Sequence, residues 1–242
     1  MEAMSIVRKY GKPNLLIKIT CNPDWTEIRD NLFTGQPAAD RLDLVARVFN
    51  LKLNALIDDL IKKRMLGHVI AYVYTIEFQK RGFPHAHICL ILSDADKPKE
   101  SEQVDKIVSA ELPGRTSNPR LFSIVTKCMI HGRCGAFNRN ATCMVDGICN
   151  KKFAKAFREQ TNVNVSGYPS YRRGQSPLWK NKTGHPVDNR WVVPCNKWLT
   201  LKYNAHINVE VCRSLAVVSY LFKYTYKGYH CASVHVAQKS GT

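Results

Sequence analysis

The chain has 242 residues, 45% of them hydrophobic and 10% aromatic, which is enough apolar material for a folded core and excludes wholesale disorder. Lys and Arg number 36 against 19 Asp and Glu, a formal charge of +17, and a surplus of that size attracts polyanions, nucleic acid above all. No run of about 18 apolar residues offers a membrane span, and the first residues lack the apolar stretch of a signal peptide, so no membrane partner is expected.

In chain order, Leu15 to Thr20 is a β-rich run stopped by the turn signal Asn22-Pro23. Arg41 to Met65 carries Leu44, Val45, Val48, Leu51, Leu56, Ile57, Leu60 and Ile61 at spacings of three and four, which predicts an amphipathic helix. Val69 to Phe78 reads as a strand. The turn Lys80-Arg81-Gly82-Phe83-Pro84 then reverses the chain, and His85 to Leu92 returns as the second strand of a hairpin. Ser93 to Glu102 reads as a charged loop, Cys128 to Cys149 has no clear period, and residues 166–190 read as a long basic loop. Val209 to Lys227 has the pattern of an amphipathic helix closed by Gly228. Strands and helices mix without a regular βαβ alternation, so the expected class is α+β, a central antiparallel sheet flanked by helices.

Three clusters carry chemistry. In a strand, alternate residues share a face, so His85 and His87 point the same way across Ala86 and can bind one divalent metal. Glu77 and Gln79 share a face of the preceding strand. Gln79, nearer the turn, is the first choice as third ligand, and Glu77 the second, although a carboxylate suits Mg²⁺ or Mn²⁺ better. Tyr220 and Tyr224 are four apart and would stack on one helical face, with Lys223 and Lys227 beside them. A phenol is a weak nucleophile at its ordinary pKa of about 10. Nearby cations favour its phenolate, and a metal that polarises a phosphate assists attack. An aromatic core face with solvated lysines would give the same pattern.

The third cluster is His131, Cys134, Cys143 and Cys149, four soft ligands in a loop-rich segment. A structural Zn²⁺ site and a set of buried free thiols both fit it, and Cys128 could replace His131. Cys21, Cys89, Cys195, Cys212 and Cys231 read as packing residues. Nine cysteines in an unsecreted chain are expected to stay reduced, which points to cytosol or nucleus. Tyr171, Arg172 and Arg173 lie in the basic loop with Tyr168, Trp179, Lys180 and Lys182. Aromatics interleaved with cations suit single-stranded DNA, and they equally suit a solvated loop.

Taken in order, these motifs resemble those of Helitron transposases. Glu77 to His87 resembles the His-hydrophobe-His motif of that family, and Tyr220 to Gly228 its two-tyrosine motif. Lys18 to Trp25 resembles its Thr-Cys-Asn-Pro segment. Tyr203-Asn204-Ala205-His206-Ile207-Asn208-Val209-Glu210 is similar to a further block to which the sequence assigns no chemistry, and similar Cys/His positions recur in the family, favouring Zn²⁺. The resemblance implies the HUH/Rep-like fold of single-strand endonucleases, acting on single-stranded DNA in the nucleus. It implies Mg²⁺ or Mn²⁺ on His85 and His87, with Gln79 at the third ligand place, and Tyr220 and Tyr224 as nucleophiles that form a 5′-phosphotyrosine and release a 3′-hydroxyl. Residues 1–127 would begin the nuclease domain, 128–155 form a zinc-binding insert, and 156–242 complete the domain. The family usually joins this domain to a helicase, which the sequence lacks, so the resemblance implies a fragment or a decayed copy. A non-catalytic DNA-binding module and a zinc-stabilised scaffold with structural histidines are the rival readings.

Overall fold

The structure is a computed structural model that describes residues 3–78, 82–132, 134–135, 137–163, 168–180, 184, 186–213 and 232–236. Helix α1 (Ala3–Tyr10) leads into strand β1 (Leu15–Thr20) and the short helix α2 (Thr26–Arg29). Helix α3 (Leu42–Ile61) precedes the hairpin strands β2 (Val69–Phe78) and β3 (Pro84–Leu92). Helices α4 (Ser101–Ile107) and α5 (Pro119–Cys128) follow, then two small ribbons, β4 (Met144–Val145) with β5 (Ile148–Cys149) and β6 (Trp179–Lys180) with β7 (Pro186–Val187). Helix α6 (Lys197–Tyr203) and strands β8 (His206–Val211) and β9 (Ala232–Val236) complete the described chain. The class is α+β, and no helix among the described residues is long and apolar enough to cross a membrane.

One sheet organises the molecule. Its order is β8-β1-β3-β2-β9, antiparallel at every pairing, so strands far apart in sequence become neighbours. Alternation gives the sheet two chemically different faces. Leu15, Ile17 and Ile19 of β1, Ile88 and Leu90 of β3, and Ile207 and Val209 of β8 are buried together on one face. Against them packs α3, whose Val45, Val48, Phe49, Leu53, Leu56 and Leu60 recur at helical spacing. Each such side chain contributes about 1.5–3 kcal/mol by leaving water, which is why the helix lies here. Leu51, on the opposite side of α3, is 68% exposed.

The same alternation turns Lys18 and Thr20 of β1, Thr75 and Glu77 of β2, His85 and His87 of β3, and His206, Asn208 and Glu210 of β8 to the other face. The register aligns them in rows. His206, Thr20, His85 and Glu77 form one row across four strands, and Asn208, Lys18, His87 and Thr75 form the next.

Local polar contacts hold the frame. Asn22 Nδ2 donates to Asn204 O at 2.7 Å, and the Trp25 indole N–H donates to Tyr203 O at 2.7 Å, fastening the turn after β1 to the end of α6. Asn204 ends that helix in the left-handed conformation, φ 45°, as a C-terminal cap. Asp59 of α3 is fully buried and accepts from Lys63 Nζ at 2.8 Å, from Lys202 Nζ and from the Tyr203 hydroxyl, which ties α3 to α6.

Two expectations need correction. Val209 to Val211 do not begin a helix; they end strand β8, because their alternating apolar side chains complete the sheet's core face. The rest of that expected helix, 214–231, lies outside the described residues. The described part of 166–190 is also not an open loop. Bridges Arg158–Arg173 and Asn162–Ser170 and the ribbon β6–β7 give it backbone partners.

Candidate metal centres

The β2–β3 hairpin sets Glu77 directly opposite His85, and Thr75 opposite His87. Its turn contains Gly82 at φ 83°, where a Cβ would stand 2.8 Å from Leu42 Cδ2 of α3. The dihedral favours glycine there, whereas the Leu42 side chain could shift to make room. Across the hairpin, Glu77 Oε2 lies 3.0 Å from His85 Nε2 and 3.4 Å from His87 Nε2, and the imidazole centroids are 4.9 Å apart. One ligand atom from each of the three residues falls within 4.8 Å of the others, so they could hold one metal ion.

The surroundings suit such a group. His85 Nδ1 and Thr75 Oγ1 are buried without a hydrogen-bond partner among the described residues. Burial, then the charges of His85 and Lys18, push the His87 imidazole down to about 3, so it stands neutral with a lone pair to give. Two imidazoles and a carboxylate form a mixed N/O set for a borderline divalent cation. The sequence ranked Gln79 ahead of Glu77, and the register instead puts Glu77 across from His85, while Gln79 lies outside the described residues. Tyr220, Lys223, Tyr224 and Lys227 also lie outside them. The chain that follows them enters β9 at Ala232, opposite Thr75 and thus two strands from His87.

His206 is a residue whose place the sequence did not reveal. Its Nδ1 lies 2.8 Å from the carbonyl of Cys128, and that N–H···O bond leaves Nε2 as the acceptor, on the row that holds His85 and Glu77. The signal was present in the block Tyr203 to Glu210, but its meaning depends on β8 pairing with β1, nearly 190 residues away in sequence.

A second cluster lies beside the sheet. His131, Cys134, Cys143 and Cys149 bring one ligand atom each within 4.8 Å of the others. His131 Nε2 is 3.7 Å from Cys134 Sγ and 3.6 Å from Cys149 Sγ, and its ring stacks on Phe153 at 4.1 Å. Burial, then Lys155 and Lys151, push His131 down to about 4. Burial opposes a charge on Cys149 too, but the backbone N–H groups of Phe153 and Lys151 outweigh it and lower that thiol, whereas burial and the neighbouring thiols push Cys134 up to about 12. A neutral imidazole beside three thiols could hold a metal such as zinc. Cys128 stands outside this group, at the end of α5, whereas Cys21, Cys89, Cys195 and Cys212 are buried, and Cys231 lies outside the described residues. The cluster's small apolar core recruits Trp179, Val187 and Trp191, so its packing reaches well past residue 155.

The expected DNA-contacting trio does not form one surface. Tyr171 is 6% exposed, and its hydroxyl accepts the Val211 N–H at 2.9 Å. Arg173 is 3% exposed, and its Nη1 donates to the carbonyls of Asn189, Val192 and Ala110. Arg172 alone reaches solvent, paired with Glu111 at 3.1 Å. The reason is the extended backbone: alternation sends positions 171 and 173 inward and 172 outward.

Residues 1–90 match the family model described as "Helitron helicase-like domain at N-terminus". The matched stretch contains β1, β2, β3 as far as Leu90 and all three residues of the Glu77–His85–His87 cluster. It supports a Helitron-type transposase N-terminal domain and a transposase-related role in DNA processing. No curated protein matches the chain.

Proposed function

We propose, from a chain whose first 90 residues match a Helitron-type transposase N-terminal domain, that this protein is a metal-dependent single-stranded DNA endonuclease and strand transferase with a tyrosine nucleophile. The observation that carries the reading is the Glu77–His85–His87 cluster on the polar face of an antiparallel sheet, next to the strand that the tyrosine segment leads into. An antiparallel sheet that offers its histidines to a cation on one face is also what an HUH/Rep-like nuclease needs.

Glu77, His85 and His87 would hold Mg²⁺ or Mn²⁺, which when bound would polarise a phosphodiester and offset charge developing on its oxygens. Tyr220 or Tyr224 attacks phosphorus. Its Oη–P bond forms as the P–O3′ bond breaks, the phenolic proton leaves to solvent or a basic group, and the 3′ oxygen takes one up. A 5′-phosphotyrosine and a free 3′-hydroxyl result. Lys223 and Lys227 favour the phenolate by their charge. The second tyrosine accepts a second strand while the first end stays attached, and a helicase would supply the unwound strand in the nucleus. Zn²⁺ on His131, Cys134, Cys143 and Cys149 would order a segment with little apolar core of its own.

The test is incubation with labelled single-stranded DNA and Mn²⁺, followed by a denaturing gel. A covalent protein–DNA band is expected, absent with EDTA and in the Tyr220→Phe/Tyr224→Phe double variant. Intact DNA binding without such a band across a varied oligonucleotide pool would leave a non-catalytic binding module.

A further inference from the structure

The β4–β5 ribbon is tied down at one end and bare at the other. At the inner end Met144 pairs with Cys149, the Met144 sulfur accepts the Gly135 N–H at 3.2 Å, and Cys143 and Cys149 belong to the four-residue metal cluster. At the outer end Val145 pairs with Ile148 across a two-residue turn, Asp146-Gly147, with φ 50° and 77°. Positive φ at both central residues is the tight hairpin turn whose twist matches its strands, so the tip is a stiff knob. Yet Val145 is 54% exposed and Ile148 is 71% exposed.

Two adjacent aliphatic side chains held in water do nothing for the core. As a cross-strand pair they add little to the ribbon, and a pair of threonines would serve the pleat as well. Their surroundings are cationic. Residues 131–155 contain five Lys or Arg and one acid, Asp146, and Arg139, Lys151 and Lys152 are exposed close to the ribbon in sequence. An apolar tip among cations complements a partner that carries negative charge along its length and flat apolar faces within, which describes nucleic acid better than an apolar protein groove.

We infer that Val145 and Ile148 form a wedge that inserts at the junction of paired and unpaired DNA and unstacks the terminal base pair. Apolar side chains entering a base step meet an unstacking cost, which bound phosphates and a pre-ordered knob can offset and a loose loop cannot. The proposal rests on the DNA-processing reading but not on catalysis: it gives the chain a way to expose its own single strand.

The test uses the full chain loaded with zinc, without Mg²⁺ or Mn²⁺, and a forked duplex with 2-aminopurine at the last base pair. Binding is expected to raise the probe's emission. Val145→Thr/Ile148→Thr, which keeps β-branching, should lose most of that rise while zinc content and affinity for an unpaired oligonucleotide stay unchanged. Ile148→Thr alone should lose part of it, and serves if the double variant sheds zinc. Val145→Leu/Ile148→Leu should retain it. An undiminished rise in the threonine variants, or wild-type binding with no rise, overturns the wedge. So does a tip that instead binds an apolar protein face, since the threonine variants would then leave the fork unaffected. Covalent adducts on unpaired DNA, measured in parallel, separate the two ideas. Adducts without a probe response defeat the wedge alone, and a probe response without adducts defeats the nuclease alone.

Discussion

Glu77 and Asp59 are carboxylates placed for different ends, and each supports a prediction at the scale of one residue. Glu77 lies within reach of both imidazoles of the hairpin, so replacing its carboxylate with an amide removes a charge from the ligand set. Glu77→Gln should weaken Mn²⁺ binding by at least about tenfold, as even groups behind the ligands do at metal sites, read by paramagnetic resonance titration. Unchanged affinity would mean that the third ligand lies elsewhere. Asp59 has no solvent exposure. Burial alone would raise its carboxyl, but hydrogen bonds from Lys202, Lys63 and Tyr203 together outweigh it and hold it below the ordinary value. A depressed carboxyl contributes stability that is present above its unfolded value, about 4, and lost as pH falls through the lower folded value. Asp59→Asn should therefore destabilise the chain by about 1–3 kcal/mol at neutral pH, and the gap from wild type should narrow in denaturant titrations below pH about 4. A gap that stays constant down to strongly acid pH would show that the charge contributes nothing.

At the scale of elements, what distinguishes the two candidate centres is how much of the fold depends on each. The hairpin cluster is carried by strands at the middle of a five-stranded sheet, whose apolar face is packed without any metal. The Cys/His cluster is carried by turns and a two-residue ribbon, with a small core around Trp191 and Val187. Metal binding there would be coupled to local folding, whereas in the hairpin it would not. Cys143→Ser should lower bound zinc and speed amide exchange across residues 131–155, with β1 and β3 still protected, as hydrogen-exchange mass spectrometry would resolve. Equal loss of protection in the central strands would show that one cooperative unit contains both. The hairpin was legible from residues alone, because alternation, Gly82-Phe83-Pro84 and the paired histidines all agree. The pattern of β8 was not: Val209 to Val211 begin a stretch with helical spacing, and only pairing with β1 selects the strand.

For the whole molecule, the charge of +17 would govern encounter with a polyanion such as DNA more than it governs the fold. Binding to single strands should weaken steeply with salt, with a logarithmic slope of magnitude about 3 or more. At about 0.7 per neutralised phosphate, that corresponds to four or more contacts. Anisotropy titrations at several salt concentrations would give the slope, and a value near zero would remove nucleic acid as the partner. Tyr171 and Arg173 should not enter that count, since they brace the interior, whereas Arg172 is free to exchange Glu111 for a phosphate.

The sequence by itself determined the class of fold, the helix α3, the hairpin and its two histidines, and the four candidate zinc ligands. These are properties of local spacing, and spacing survives in the linear order. Tertiary structure decided that Glu77 stands directly across from His85, that His206 shares their row, and which of three consecutive cation and aromatic positions turn inward. Those outcomes depend on strand register and on burial across long separations in the chain, where a shift of one residue reverses every side chain and no local pattern can fix it.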